Sequence, residues 1–557
     1  MNKVLRLPPI YLFHHGTKPT YPLTSTIFSM KKLPLLVFLL LCISIWTFSQ
    51  TMVSTKDTTK ITKDAVAQKP PAPKDRNMFG WHIPRGLKMN SDGLADGYIL
   101  FAVPNSPFID LINRKGEVVH QWKGNYGVLS AYLQDDGSLV QSAMDPDFPT
   151  FGFGGPYGRI QKISWDGKLL WDFEYANEEQ IVHHDFAVMP NGHILAIAYE
   201  TKSYDEAIAK GRMPNKTPKA GPWLEKVIEI EPQGKDGGKI VWEWHVWNHL
   251  IQDQDAKKAD YGNPADHPEL LDFNLGDTLP PLITQDSVDI LKAKGMADRN
   301  ETSDNRGADI FHFNAIKYNA DLDQIAISNH NLSEIFIIDH STTAKEAASH
   351  KGGRWGKGGD FLYRWGNPQN YKRGDSTNRQ LFGQHDVRWI EKGAPGAGDL
   401  TIFDNDIPYK GDSMNYSAIY EIAPPTDTKG NYYLEKDKTY GPAKPLWKYI
   451  APDTTSFWGS FISGAQRMEN GNTFIDEGPK GRFFEVTPDG KMVWEYLNPY
   501  RGEIREPNGD PTPVMPMTYF AFRANFIPAN HPGLANKKLE PVVPQPTPFI
   551  LPAPGGK

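Results

Sequence analysis

The sequence contains one cysteine, Cys42, among 557 residues. If the N-terminal segment that holds it is removed on export, the remaining chain can form no disulfide and has no thiol chemistry. Positive charge is not in excess either, because 60 lysines and arginines against 66 aspartates and glutamates give a net charge of −6. Such a chain lacks the basic field that attracts nucleic acid, so we expect no nucleic-acid partner.

Long apolar runs are also scarce. The most apolar stretch, residues 33–48, is about 16 residues long, short of the ~20 that a membrane-spanning helix needs. Lys31 and Lys32 precede it and Ser49-Gln50 follows, a pattern typical of a cleaved export signal, with a membrane anchor as the alternative. We therefore expect a periplasmic or secreted protein that meets a membrane only through its export signal.

Four segments follow from composition. Residues 1–50 are expected to comprise an upstream extension and the signal, with Met30 as a second candidate start. Residues 51–77, rich in Thr, Lys, Ala and Pro, are typical of a disordered linker. Residues 78–533 are expected to form the catalytic domain, and residues 534–557 a proline-rich tail.

A short pattern recurs six times: a turn, two or three apolar residues and an aromatic residue. The six copies end at Trp122, Trp171, Trp242, Trp365, Trp447 and Trp494. Aromatic and β-branched residues with Asp-Gly and Asn-Gly turns favour strands, and repeated units bury their apolar faces against their neighbours. The pattern predicts an all-β fold, a six-bladed β-propeller with long inter-strand insertions.

Two further segments refine this prediction. Residues 249–308 are polar and poor in strand signals, so we expect loops and helical turns there. Residues 98–103 and 517–522, near the two ends of the domain, are both apolar and aromatic. We expect them to supply strands of one shared blade that closes the ring.

Three separate segments begin alike: His183-His184-Asp185, His312-Phe313-Asn314 and Gln384-His385-Asp386. Histidine at equivalent points of a repeat can place several imidazoles around one axis. Three interpretations are open: strand caps, a metal site and covalent group transfer by a nucleophilic imidazole. The absence of a helical His-x-x-x-His pair and of cysteine ligands counts against the metal site.

The segments 311–316, 326–330 and 382–386, with the run from 334 to 368, resemble the bacterial arylsulfate sulfotransferases. The resemblance covers about residues 95–500. It implies a periplasmic six-bladed propeller that moves a sulfuryl group from an aryl sulfate to a phenol through a sulfohistidine. It also implies that phenols and aryl sulfates are the partners, and that neither a nucleotide sulfate donor, a cofactor nor a metal is used.

The resemblance assigns roles residue by residue. His385 matches the nucleophile, and His312 with Asn314 matches the pair that binds the sulfuryl oxygens and assists the leaving group. His183 and His184 match a further active-site histidine, and His184 is favoured because it aligns with His385 in the repeat.

The chain departs from the family where well-known members have an arginine and this sequence has His330. A histidine holds an oxoanion less strongly than a bidentate guanidinium. Arg467, at the matching edge of a later blade, is a candidate for the missing charge, with a surface ion pair as the alternative. The main functional alternative is a non-catalytic, ligand-binding secreted propeller. The sequence predicts no oligomeric state.

Overall fold

The computed structural model describes residues 80–549 apart from 81–82, 146–149, 153–154, 277, 280–282, 294–296, 298–299, 410–414 and 502–518. These residues belong to one unit of the chain, 73–557. The predicted signal (1–50) and linker (51–77) lie outside the described residues, as does the end of the predicted tail. Within the described part, no helix has the length and apolarity that crossing a membrane requires.

Strands dominate the described residues, and the predicted all-β class is confirmed. In chain order they are β1 (Gly86–Asn90), β2 (Gly97–Ala102), β3 (Ser106–Ile112), β4 (Val118–Val128), β5 (Ala131–Leu133), β6 (Leu139–Met144), β7 (Gly158–Ile163), β8 (Leu169–Glu174), β9 (Gln180–Val188), β10 (Ile194–Thr201), β11 (Trp223–Gln233), β12 (Gly237–His245), β13 (Leu250–Ile251), β14 (Leu271–Asp272), β15 (Phe313–Asn319), β16 (Gln324–Asn329), β17 (Glu334–Asp339), β18 (Tyr363–Trp365), β19 (His385–Trp389), β20 (Leu400–Pro408), β21 (Asn415–Ile422), β22 (Trp447–Tyr449), β23 (Gly464–Arg467), β24 (Thr473–Glu477), β25 (Arg482–Val486), β26 (Met492–Leu497) and β27 (Ala524–Pro528).

Among the residues that the structure describes, helices are few and short. The α-helices are α1 (Tyr204–Ala209), α2 (Gln285–Ala293) and α3 (Ala344–Ala347). Single 3₁₀ turns lie at Pro214–Lys216, Val246–His249, Pro368–Tyr371, Thr454–Ser456, Gly478–Lys480 and Pro532–Leu534. Helix α1 begins at a capping box, in which Ser203 and Glu206 satisfy each other's backbone N–H groups. Between 249 and 308 the described residues hold only β13, β14 and α2 as regular elements, so loops and helical turns prevail there as predicted.

The sheets follow the chain order. Strands β9 to β12, β15 to β18 and β19 to β22 form three antiparallel four-stranded sheets, each arranged consecutively from first strand to last. Strands β23 to β26 form another, with β1 added beyond β26. An eight-stranded sheet contains β27-β2-β3-β4 and β5 to β8, and the two halves meet at the single pair Gly127 and Met144.

The ends of the domain pair with each other. Strand β27 lies antiparallel to β2, with Tyr98 opposite Ile527 and Phe101 opposite Ala524. The predicted sharing of one sheet by the chain ends is confirmed, although the C-terminal strand begins at Ala524 rather than within 517–522. Beyond it, the Val542 N–H donates to the Val118 carbonyl at 2.9 Å, which fastens the tail to β4.

The repeated tryptophans join neighbouring sheets. The indole N–H of Trp171, in β8, donates to the Gly237 carbonyl of β12, and that of Trp494, in β26, donates to the Arg114 carbonyl after β3. The other copies that follow this rule are Trp242 to Thr342 Oγ1, Trp365 to the Pro442 carbonyl and Trp447 to the Pro488 carbonyl. These five outer strands are therefore each hydrogen-bonded to the sheet that follows, over a core of buried apolar residues.

The first strands of successive sheets contact one another. Strand β9 contacts β15, β15 contacts β19, β19 contacts β23, and β23 contacts β27. Strand β5 reaches β9 through Tyr132, whose ring lies edge-on to Phe186 at 5.1 Å. His183 and His184 lie within β9, His312 immediately precedes β15 and His385 begins β19, so this order of strands brings the three segments together.

Candidate active site

The first strands of three successive sheets, β9, β15 and β19, are here called the inner strands. The backbone has left-handed φ angles where these strands hold the histidine segments. The φ angles are 54° at His184, 60° at His312 and 54° at Asp386, and the strand pairing shifts register beside each of them. The loop before β23 continues the series, with φ 46° at Ile462 and 89° at Ser463. Non-glycine residues in this region are strained and mark functional sites, and a β-branched residue such as Ile462 is an outlier there. Each bulge redirects a side chain.

Four imidazoles form a continuous row. Ring centroids are 4.5 Å apart for His184 and His312, 5.2 Å for His312 and His330, and 5.2 Å for His330 and His385. The structure thus brings together one histidine from each of the three predicted segments and adds His330 between two of them.

The hydrogen bonds of His385 fix its tautomer. Its Nδ1 lies 2.8 Å from Oδ1 of Asn405, whose amide nitrogen donates to the carbonyls of Gly459 and Ile462. The Asn405 oxygen must therefore accept, so Nδ1 carries the proton. Nε2 is left with its lone pair and accepts the Ile462 N–H at 3.1 Å. Burial, then His330 and Arg523, hold the pKa of His385 well below its usual value, which keeps the ring neutral.

His312 is biased the other way. Burial lowers its pKa, but the carboxylate of Asp309, with Oδ2 at 2.5 Å from Nδ1, outweighs burial and raises the pKa above the usual value. The His312 side chain is 21% exposed and is more exposed than that of Asp309. A protonated His312 in the same row as a neutral His385 separates a proton donor from a nucleophile, which is how environments assign acid and base roles.

His183 and His184 play different parts. His183 is fully buried, stacks on Tyr199 at 3.6 Å between centroids, and joins His184 through Nδ1 at 2.7 Å and Glu225 through Nε2 at 2.8 Å. Burial lowers the pKa of both histidines and raises that of Glu225 well above its usual value, so burial favours the uncharged form of each of the three groups. His183 therefore orients His184, which faces the row.

Gly155 allows His184 to lie where it does. Gly155 has φ 68°, and its carbonyl accepts the His184 N–H at 2.9 Å. A Cβ on Gly155 would stand 3.0 Å from the His184 ring, tighter than normal contact. Both the backbone angle and the ring contact therefore require glycine at this position.

Asn314 is buried between two inner strands. Its side-chain nitrogen donates to the Gln384 carbonyl at 2.9 Å, and its own carbonyl accepts from Arg523 at 2.9 Å. Its Oδ1 has no hydrogen-bond partner among the described residues. The bond from the Asn314 side chain holds β15 to Gln384, the residue immediately before His385.

One comparison with known proteins identifies a family. The sequence model of the family described as arylsulfotransferase (ASST) matches residues 134–509, which is most of the chain. The chain belongs to the arylsulfotransferase family. No curated protein matches it.

Solved structures that resemble this arylsulfotransferase-family chain are distant. A Bacteroides caccae protein of unknown function is 10% identical, with a TM-score of 0.37 over 72% of this chain and 94% of its own. Streptogramin B lyase is 10% identical, with 0.34 over 81% and 96%. The β-propeller domain of Cps50 (Swd1) from Myceliophteria thermophila is 8% identical, with 0.31 over 74% and 89%. At these TM-scores none of them supports an argument about site or function.

The arylsulfotransferase resemblance puts an arginine where this chain has His330. Its Nδ1 lies 3.1 Å from Oδ1 of Asn331, and burial, followed by His312, lowers its pKa to about 4. The ring is therefore neutral near pH 7 and cannot serve as a fixed cation. Gly383, at φ 65°, faces it, and a Cβ there would lie 3.2 Å from His330 Nε2.

Arg467 does not replace the arylsulfotransferase arginine. It is the last residue of β23, the end away from Ser463, where it pairs with Glu421, donates to the Gly471 carbonyl and lies 4.5 Å over Trp447. The prediction that it joins the histidines is not supported, since its partners make the ion pair that was the alternative. Its position follows from strand length, because β23 is four residues long and Arg467 is its last residue.

The buried cation beside the histidines is Arg523, which the sequence reasoning missed. It is 1% exposed, donates to the Ser463 carbonyl at 2.7 Å and has Nε at 3.1 Å from Asp386 Oδ1. Its charge contributes to the lowered pKa values of His184 and His385. A single arginine in the otherwise apolar run 519–524 is the signal that would have identified it.

Proposed function

We propose that this protein transfers a sulfuryl group from an aryl sulfate ester to a phenol through a sulfohistidine on His385, without a nucleotide donor. The observation that carries the proposal is one row of rings in which Asn405 leaves Nε2 of His385 without a proton and Asp309 pairs with Nδ1 of His312. The Nε2 lone pair of His385 accepts only the Ile462 N–H, burial lowers the pKa of His385, and Asp309 raises the pKa of His312. Family membership supports aryl sulfates and phenols as the substrate class.

The first half-reaction uses both rings. Nε2 of His385 attacks the ester sulfur, and the new N–S bond forms as the bond between sulfur and the aryl oxygen breaks. The phenolate that leaves takes the proton of His312, which becomes neutral. Attack requires Nε2 to give up the hydrogen bond from Ile462 N–H, and that N–H then becomes a donor for a sulfuryl oxygen.

The second half-reaction restores the enzyme. The oxygen of an acceptor phenol attacks the sulfur, the N–S bond breaks, and the lone pair returns to Nε2 of His385. The phenolic proton passes to the neutral His312. Protons and sulfuryl groups balance over the cycle, and the two halves make a ping-pong sequence.

The sulfuryl oxygens need donors during both steps. His184 and His330 lie on either side of His312 in the row, and the neutral His184 ring can offer one N–H. His330 uses its proton on Nδ1 to bond Asn331 Oδ1, so its Nε2 can only accept. Arg523 adds a fixed positive charge beside the histidines, although its observed bonds go to backbone carbonyls and Asp386. We assign to Asn314 a positioning role, since its bonds connect inner strands.

We further infer that the sheets form the six blades of a propeller. Five outer-strand tryptophans each reach the following sheet, and successive inner strands contact one another from β9 to β27. The two halves of the eight-stranded sheet, joined at one residue pair, count as two blades. The row of histidines would then stand at the mouth of the central channel.

Export is part of the proposal. Residues 1–50 would direct the chain out of the cytoplasm and residues 78–533 would act in the periplasm or outside the cell. N-terminal sequencing of protein recovered from the periplasm or medium tests this. A recovered chain that still begins at Met1 or Met30 would contradict it.

The decisive experiment uses a chromogenic aryl sulfate with and without an added phenol. We expect release of the chromogenic phenol that the acceptor stimulates, and an acid-labile sulfuryl group on His385 in mass spectra of quenched protein. His385→Ala should lower turnover at least about a thousandfold, as expected when a nucleophile is removed. His267→Ala, at an exposed histidine paired with Glu269, is the matched control and should leave turnover unchanged.

A panel of aryl sulfates that gives neither adduct nor His385-dependent turnover would overturn the transferase. Aryl sulfate binding that survives His385→Ala, without any turnover in the native protein, would instead favour the non-catalytic ligand-binding propeller.

A further inference from the structure

A second cluster of histidines lies on other elements. His249 follows the outer strand β12, and His350 and Asp360 lie on the segment between β17 and β18. One ligand atom from each of the three lies within 4.8 Å of the other two. Nδ1 of His249 and Nδ1 of His350 each stand 2.8 Å from the same Asp360 oxygen, Oδ1.

The hydrogen bonds of His249 leave a conflict at this oxygen. His249 is fully buried, and its Nε2 lies 2.8 Å from the Ala347 carbonyl, which can only accept. Nε2 of a neutral ring must then carry the proton, so Nδ1 presents a lone pair to a carboxylate oxygen that also only accepts. Two buried acceptors at 2.8 Å need a cation between them, either a proton or a metal ion.

The surroundings hold the cluster in place. The His249 ring stacks on Trp244, 5.4 Å between centroids and 2° from parallel. Gly359 passes so close that a Cβ there would stand 2.0 Å from the Ala347 oxygen and 2.5 Å from His249 Nε2. A backbone carbonyl on the outer nitrogen of a histidine is the support that metal-binding imidazoles usually have.

We propose that His249, His350 and Asp360 bind one divalent transition-metal ion of the zinc class. Two imidazole nitrogens and a carboxylate oxygen suit zinc, with ligand bonds of about 2.0–2.2 Å. The His350 side chain is 58% exposed, so a fourth position faces solvent and is open to water. The ion would fasten the end of β12 to the segment that precedes β18, as a clip between two neighbouring sheets.

The test measures zinc binding to the tag-free full-length chain after chelator treatment. Isothermal titration with Zn²⁺ should show one ion per chain, and the thermal midpoint should rise when Zn²⁺ is added. His350→Ala, at an exposed side chain, should weaken binding at least tenfold and remove the rise. Asp360→Asn keeps the side-chain shape and should do the same.

His267→Ala is the control, because His267 is half exposed and also faces one carboxylate oxygen, that of Glu269 at 2.9 Å, without a third group. It should bind zinc as the native chain does. Equal zinc affinity in His350→Ala and the native chain, or no zinc binding by the native chain, would overturn the proposal. In the second case a proton shared by His249 and Asp360 accounts for their contact.

Discussion

At His385, one amide side chain determines which nitrogen can react. Asn405 uses its nitrogen on two carbonyls and therefore its oxygen on Nδ1–H, which leaves Nε2 as the base. Asn405→Asp would place a carboxylate against Nδ1–H and raise the pKa of His385. Because catalysis needs the neutral ring, we expect the acid limb of kcat/KM to move to higher pH by about one unit or more.

The pH profile separates this positioning role from a merely structural one. Ser417→Ala is the matched control, since Ser417 donates to the Asn405 carbonyl at 2.8 Å and leaves its amide intact. It should keep the acid limb where the native protein has it. A uniform loss of rate at every pH in Asn405→Asp would show that Asn405 only supports the loop.

Asp309 is expected to control the alkaline limb of the pH profile of kcat/KM. His312 must be protonated to donate to the leaving phenolate, and Asp309 raises its pKa against the effect of burial. Asp309→Asn removes that charge, so His312 loses its proton at lower pH. We expect the alkaline limb of kcat/KM to move to lower pH by about one to three units.

The control for this shift keeps the carboxylate. Asn331→Ser removes a donor to the Asp309 backbone carbonyl at 3.2 Å but leaves Oδ2 beside His312. Its alkaline limb should match that of the native protein. An unchanged limb in Asp309→Asn would show that His312 is not the acid.

Part of the site is readable from sequence and part is not. The three histidine segments and His330 were identifiable because repeats and a family resemblance mark them. The left-handed backbone at His184, His312 and Ile462 could not be predicted, since no glycine signals it. Arg523 was missed because it lies near the C-terminal end of the domain. It is more than 200 residues from Asn314 in sequence, although the two are hydrogen-bonded.

At the scale of elements, the tryptophan repeat determines how sheets connect. The indole N–H of Trp494 donates to the Arg114 carbonyl at 2.8 Å, whereas that of Trp122 has no partner among the described residues. Both rings are nearly fully buried, at 0% and 1% exposure. The burial is therefore matched, and the two positions differ in this hydrogen bond and in the Arg114 guanidinium, which lies 4.2 Å over the Trp494 ring.

This pair allows the hydrogen bond to be measured. Trp494→Phe and Trp122→Phe remove similar volume, but only the first removes a hydrogen bond, and the Arg114 carbonyl keeps its bond from Asn90 Nδ2 at 3.2 Å. We expect Trp494→Phe to lower the free energy of unfolding by about 1 kcal/mol or more beyond the loss in Trp122→Phe. Urea unfolding of both variants measures the difference, and equal losses would mean that the bond does not stabilise the contact between sheets.

The bounds of the strands, like the site residues, could be predicted from the sequence only in part. The six aromatic repeats located outer strands correctly because the pattern is local and each copy has its own turn. The closing strand was expected about seven residues too early, at 517–522, because apolar character alone does not show where pairing with β2 begins. That register is fixed by the partner strand, as in Phe101 opposite Ala524.

For the whole molecule, the C-terminal end completes both the sheets and the site. Strand β27 pairs with β2, and Arg523, immediately before it, bonds to Asn314 and Ser463 from other sheets. The residues after it bond elsewhere: the Val542 N–H donates to the Val118 carbonyl of β4, and the Phe549 N–H donates to the Pro499 carbonyl. The pairing of the chain ends and the positive charge beside the histidines therefore depend on a segment of about six residues, Arg523 and β27.

Two truncations separate these contributions. A chain ending at Ala529 keeps Arg523 and β27 but loses the tail, so we expect it to fold with a lower thermal midpoint and to keep its histidine site. A chain ending at Phe522 loses both, leaving Asp386 without one of its cations and β2 as an open edge, which favours aggregation. We expect little soluble protein from it, measured by yield and circular dichroism. A soluble, active chain ending at Phe522 would show that the sheets close without β27.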